Sequence, residues 1–278
     1  MKKNIILKSV LAFALASVVS VGAYSFIPVS NLTIEAAQTT ETSKKAVSAP
    51  KYVFLFIGDG MSYPQIQAAS DYLGASTQGN SPKILEGGRD LSFMEFPVAG
   101  SATTFDSTSF CPDSASTATS ISTGHKTYSS VINMDETKTI SYESISEKLK
   151  KQLGYKVGII TTVNLNHATP AAFYAHQASR NNYYEIGEEL INSNFDYFAG
   201  GGLKQVTGKD KDKENLYTLA EKSGYKVIKT QSEAEKLTAD DGKSSIIGEN
   251  LADSDSLNYN NDRPKNEWAL KDYVKKGI

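Results

Sequence analysis

Short, continuous apolar runs alternate along the chain with longer segments of mixed polarity. Residues 52–57 read Tyr-Val-Phe-Leu-Phe-Ile and stop at Gly58, the pattern of a strand buried on both faces. Ser62 and Pro64 open a predicted helix that Gly74 closes. Residues 79–90 carry Gly, Ser, Asn and Pro and predict a loop; residues 96–104 predict a strand with a weak point at Gly100. Asp113 and Ser114 lead into small residues over 115–123, a predicted helix ended by Gly124. A helix is expected over 142–153, with Ile145 and Leu149 on one face and Gly154 as its stop. Residues 157–163 are the next predicted strand. Residues 195–198 are another, running into the permissive Gly200, Gly201 and Gly202. The Gly-Tyr-Lys-Val stretch at 154–157 returns at 224–227, which reads as one turn chemistry used twice and not as an internal repeat. Residues 253–264 predict an exposed polar loop and 268–276 a last helix. Strands alternating with helices predict an α/β sandwich with a largely parallel sheet.

The first residues do not belong to that pattern. Lys2, Lys3 and Lys8 precede an uncharged stretch over 9–30, and small residues follow at Ala23, Ala36 and Ala37. This is the layout of a secretory signal peptide over 1–37, with an uncleaved membrane anchor as the alternative. Residues 38–50 read as a flexible linker, and residues 51–278 suffice for one α/β domain. The expected location is outside the cytoplasm, secreted or in the cell envelope. A formal net charge of −2 and the lack of a basic stripe argue against nucleic acid as a partner. The single cysteine, Cys111, excludes an intramolecular disulfide and reads as a small, half-buried residue in preference to a reactive thiol.

Three places carry candidate chemistry. Asp59 lies between Gly58 and Gly60 after the first predicted strand, where a carboxylate suits a metal or simply a turn. Ser114 lies at a predicted helix start followed by small residues, where a phosphate could approach the backbone N–H groups; a serine there also serves as an ordinary helix cap. His167, Thr169 and Pro170 follow the 157–163 strand, and Arg180 comes one short helix later with a planar fork suited to phosphate oxygens.

Together, residues 52–60, 113–127, 167–180 and 195–202 resemble the alkaline phosphatase family in its bacterial secreted form. The resemblance covers most of the chain after the linker and corresponds to the N-terminal portion of that family. It implies a three-layer sandwich. It also implies metal-dependent hydrolysis of phosphate monoesters through a phosphoserine on Ser114, with Zn2+ and Mg2+ as cofactors and inorganic phosphate as product. By the same resemblance, Arg180 clamps two phosphate oxygens and Asp59 bridges zinc and magnesium. Thr169 and His167 belong to the magnesium site, Ser114 contributes to zinc, and Asp113 supports Arg180 or the Ser114 backbone. The family places further ligands in a downstream Glu-Gly-x-x-x-Asp-x-x-x-His stretch and beyond, which this chain lacks. The expectation is therefore an incomplete domain of impaired activity: a fragment, a truncated gene product or a protein completed by another chain, with a homodimer left open separately. The alternatives are a non-catalytic, secreted phosphate-binding or interaction protein derived from a truncated phosphatase, and a sulfatase-like or phosphomutase relative, which the Ser114 helix disfavours. N-terminal sequencing of exported protein is expected to find the mature start between Tyr24 and Lys44; intact Met1 on membrane-bound protein would show an anchor instead.

Overall fold

The computed structural model describes residues 49–78, 91–247 and 256–278. Chain contacts divide it into Met1–Leu55 and Phe56–Ile278. The predicted signal segment, the linker up to residue 48 and the loop at 79–90 lie outside the described residues, as do 253–255 of the predicted polar loop. In the first unit, residues 49–55 are exposed and form no strand.

The second unit is built on a parallel sheet. Its strands are β1 (Gly158–Ile160), β2 (Tyr197–Gly200), β3 (Lys226–Ile228) and β4 (Ser244–Ile247), in the order β1-β2-β4-β3. Every pairing is parallel, and β2 is buried along its whole length. Three helices precede β1, α1 (Tyr63–Gln78), α2 (Ser114–Thr123) and α3 (Ile145–Leu153); between the strands come α4 (Ala168–Ala171), α5 (Tyr183–Asn192), α6 (Leu216–Lys222) and α7 (Gln231–Lys236), and α8 (Leu270–Gly277) follows β4.

Successive strand residues face opposite sides of a sheet. Phe198 accordingly lies in one apolar cluster with Ala115 and Ala118 of α2, Ile186 and Leu190 of α5, and Leu216 of α6. Tyr197 and Ala199 instead join Ala234 of α7, Tyr273 of α8, Ile228 and Ile246. The result is a sheet between two apolar layers, the three-layer arrangement expected for an α/β sandwich. Buried phenols are satisfied by backbone: Tyr225 donates to the Phe195 carbonyl at 2.8 Å and Tyr197 to the Tyr273 carbonyl at 2.7 Å.

α2 is helical despite a Ser- and Thr-rich sequence of low intrinsic propensity. Its hydroxyls turn back onto its own carbonyls: Thr117 to Asp113 at 2.8 Å and Thr123 to Thr119 at 2.7 Å. Small side chains let α2 lie close to α4. Asn133, fully buried at a positive φ of 47°, ties α2 to the end of α4; its amide donates to the Ala172 carbonyl at 2.6 Å and accepts from Ser122 at 3.1 Å. Gly124 ends α2 in the left-handed region, and Gly154 (φ 67°) and Gly224 (φ 84°) do the same before the two Gly-Tyr-Lys-Val stretches, which is their shared turn chemistry.

Several expectations are corrected. Residues 52–57 are not a buried strand; Phe54 is 56% and Phe56 75% exposed, and neither belongs to a ladder. A strand needs a neighbour to take its N–H and C=O groups, and apolarity alone does not supply one. Residues 96–104 fail as a strand in the same way, with Val98 84% exposed. Gly74 does not end α1, which continues to Gln78. α3 begins only at Ile145, because Ser144 caps it and pairs with Glu147 in a capping box; Ile145 is exposed, and Ser144 and Ser146 are the buried residues. Cys111 is exposed, not half-buried.

His176 is clamped between two helices. Its Nε2 lies 3.3 Å from Glu147 of α3 and its Nδ1 3.2 Å from Glu189 of α5. Burial alone would lower its pKa, but Glu147 and Glu189 push it up to about 10. A group raised in the folded state stabilises fully below its unfolded value of about 6.5 and loses that contribution as pH climbs toward the folded value. His176→Ala is therefore expected to lower unfolding free energy by about 1–3 kcal/mol at pH 6. The gap to wild type should shrink steadily between pH 6.5 and 10, as read by urea denaturation across that range; a gap independent of pH would show that His176 is not the charged centre of the clamp.

Candidate active site

The C-terminal ends of parallel strands are where loops can converge on a ligand. The chain leaving β1 runs alongside the chain leaving β2: Gly201 N–H donates to the Val163 carbonyl at 2.9 Å and Leu165 N–H to the Gly202 carbonyl at 2.7 Å. This approach requires glycine at 200, where a Cβ would fall 2.8 Å from the Thr161 carbonyl oxygen. The β1 extension then delivers His167 and Thr169 into the short helix α4.

Asp59 sits in a turn closed by Met61 N–H to the Gly58 carbonyl, with Gly60 left-handed at φ 69°. The turn aims its carboxylate at two hydroxyls: Ser114 Oγ donates to Oδ1 at 3.3 Å and Thr169 Oγ1 to Oδ2 at 2.9 Å. Residues far apart in sequence thus meet at one exposed carboxylate.

Ser114 is not the cap of α2. Asp113 is, and its Oδ1 accepts from Ser116 N–H at 3.1 Å. Ser114 is therefore free of capping, at the first helical position, where N–H groups have no intrahelical acceptor. Asp113 Oδ1 also accepts from Ser130 N–H at 3.0 Å, and Oδ2 accepts from Arg180 Nη1 at 2.8 Å. One carboxylate thus orders the helix start and orients the guanidinium. Burial would raise the Asp113 pKa, but the Ser130 and Ser116 N–H groups and Arg180 hold it below its ordinary value.

His167 stands behind Arg180, Nε2 to Nη2 at 3.4 Å. A guanidinium only donates, so Nε2 is the unprotonated nitrogen in this contact. Burial, then the charges of Arg180 and Lys204, push the imidazole pKa down, with Asp59 acting the other way. His167 is therefore neutral at neutral pH. Its Nδ1 is buried without a partner among the described residues. Lys204 stacks over Tyr183, its ammonium 5.4 Å from the ring centre. Neither Lys204 nor the buried Asn133 was singled out in the sequence; a polar Asn between Ile132 and Met134 was the available signal for the latter.

The oxygen donors of Asp59, Thr169 and Ser114 fit a hard divalent cation such as Mg2+. Zinc is a poorer fit. Among the described residues no three His, Cys, Asp or Glu side chains converge, and the remaining histidines are engaged elsewhere: His125 stacks on Tyr142 and His176 is in its clamp.

A family model described as alkaline phosphatase matches residues 50–278. Alkaline phosphatase 4 of Bacillus subtilis (strain 168) is 31% identical over 210 residues, covering 73% of this chain and 43% of that protein. The crystal structure of the cold-active alkaline phosphatase from a psychrophilic Shewanella is 27% identical with a TM-score of 0.64, covering 80% of this chain and 50% of that one. A variant of the TAB5 alkaline phosphatase, described with Mg bound in the M3 site, is 29% identical with a TM-score of 0.54, covering 68% of this chain and 51% of that one. The chain spans about half the length of these relatives. With a family match running from residue 50 to 278, over the parallel sheet and every residue of the site just described, this chain belongs to the alkaline phosphatase family.

Proposed function

We propose that the chain carries the nucleophile and phosphate-binding part of an exported phosphomonoester hydrolase. The observation that supports this most is the division of labour at the start of α2. Asp113 takes the cap, which frees the Ser114 hydroxyl, and the same Asp113 holds Arg180. In the proposed first step Ser114 Oγ attacks phosphorus, the ester P–O bond breaks, and the alcohol departs with a proton. Water then attacks the phosphoserine, releasing inorganic phosphate and restoring the hydroxyl. Arg180 binds two phosphate oxygens through its planar fork. First-turn N–H groups of α2 face the added negative charge with the positive end of the helix dipole.

Charge balance supports a metal. Asp59 and Asp113 offset the charges of Arg180 and the nearby Lys204, so a phosphate dianion would enter a site with no net positive charge to balance it. Asp59 and Thr169 would hold Mg2+, with His167 beside them. A bound divalent cation balances that charge and favours the deprotonated form of an oxygen it touches. Zinc remains part of the family expectation, with Asp59 and Ser114 as the residues that would contribute to it. Export rests on the layout of residues 1–37.

Three measurements test the reading. Arg180→Ala is expected to weaken inorganic phosphate binding about tenfold to 150-fold, equivalent to about 1.5–3 kcal/mol, in calorimetric titration with Mg2+ present. Unchanged affinity would remove the clamp. Asp59→Ala should abolish the rise in melting temperature produced by Mg2+, whether or not the chain turns over substrate. Acid trapping with radiolabelled phosphate should label Ser114 and lose all label in Ser114→Ala; label on another residue, or phosphate binding without any label or turnover of p-nitrophenyl phosphate, would replace this mechanism with a binding role.

A further inference from the structure

Upstream of Ser114 lies a carboxylate that the proposed chemistry does not use. Asp106 is 5% exposed and accepts five hydrogen bonds. Its Oδ1 takes Thr108 N–H at 2.8 Å, Ser109 N–H at 2.6 Å and Thr108 Oγ1 at 3.0 Å, which closes its own turn. Its Oδ2 reaches further, to Ser116 Oγ at 2.8 Å and Ser129 Oγ at 2.5 Å.

Those two serines matter because of their neighbours. Ser116 lies in the first turn of α2 with Ser114, and its N–H donates to Asp113 Oδ1 at 3.1 Å. Ser129 precedes Ser130, whose N–H donates to the same Asp113 oxygen at 3.0 Å and whose carbonyl accepts Arg180 N–H at 2.7 Å. Ser116 Oγ also lies 3.0 Å from Asp113 Oδ1, but it has one proton for two carboxylates. Asp106 is the nearer acceptor, so Asp113 is left to the two backbone N–H groups and Arg180.

We propose that Asp106 is a positioning residue for this site: by gripping Ser116 and Ser129 with one oxygen, it sets the two N–H groups that hold Asp113, and through Asp113 it places Ser114 and Arg180. Burial would raise the Asp106 pKa, yet the Ser129 hydroxyl, the Thr108 N–H and the hydroxyls of Ser116 and Thr108 hold it far below the usual carboxylate range. It therefore stays ionised and able only to accept throughout the neutral and alkaline range.

Asp106→Asn separates this role from mere closure of the local turn. Asparagine keeps an oxygen for Thr108 and Ser109 N–H, as in ordinary Asx turns. It replaces the charged Oδ2 with an NH2 that can only donate, so Ser116 and Ser129 can no longer donate there and the charge-assisted grip is lost. Amide hydrogen exchange on the full chain is expected to speed up about tenfold or more at Ser116 and Ser130 in Asp106→Asn, while Thr108 and Ser109 stay protected. A core variant that makes no polar contact with Asp106 or Asp113, Ile186→Val, should lower stability without that local change. Exchange at Ser116 and Ser130 within about twofold of wild type would overturn the proposal. If Asp106→Asn fails to fold, Ser129→Ala removes one of the two grips alone and is judged by the same amides. The link to the site rests on the proposed function and has its own readout: inorganic phosphate affinity should fall several-fold in Asp106→Asn and not in Ile186→Val. Faster exchange with wild-type affinity, where Arg180→Ala does weaken binding, would overturn the positioning role. Wild-type affinity in Arg180→Ala as well would instead bring down the phosphate-clamp reading, and the exchange data would still decide what Asp106 holds.

Discussion

Asp113 has two oxygens, and the start of α2 and the guanidinium both lean on them. Oδ1 joins the first turn of α2 to the segment at 130 through two backbone N–H groups, and Oδ2 holds Arg180. A carboxylate with about a quarter of its surface exposed would be costly if left unpaired, so its three partners are a condition of burying it at all. Because those partners come from three separate segments, satisfying one side chain also fixes the distance between a helix start and a guanidinium. Asp106 repeats the device one layer out, with hydroxyls in place of N–H groups.

The sheet supplies the second constraint. β2 is buried at every position, and the chains leaving β1 and β2 run close enough that only glycine fits at 200. That closeness determines where the β1 extension turns, and so where His167 and Thr169 emerge. α2 adapts to the same crowding with Ala, Ser and Thr, whose hydroxyls bond back to the helix instead of occupying space. The composition that makes α2 a poor helix on propensity makes it a close neighbour of α4.

Asp59 is placed differently. It follows the apolar, exposed run at 52–57, and its own geometry comes from a tight glycine turn. Its position in the site is secured by what it touches, Ser114 and Thr169, and not by a strand behind it. Hydroxyls on both oxygens are modest partners for an ionised, exposed carboxylate, and this is the chemistry a divalent cation would take over.

The order of chemistry-bearing segments, the α/β class, the glycine stops at 124, 154 and 224, and the family resemblance were all legible along the chain, because capping, turn propensity and motif spacing are local properties. The boundaries of α1 and α3 were not, since a glycine can be carried inside a helix and a buried capping box can outrank an apolar face. Nor was the fate of residues 52–57 and 96–104: whether an apolar segment becomes a strand depends on a partner backbone, which pattern alone does not reveal. Pairings across the chain were set by the fold. The resemblance implied that Asp113 supports Arg180 or the Ser114 backbone; that it reaches both Arg180 and the Ser116 N–H, that Asp59 meets Thr169, and that Asp106 meets Ser116 and Ser129 are decided by distances of a few tenths of an ångström that no spacing in sequence encodes.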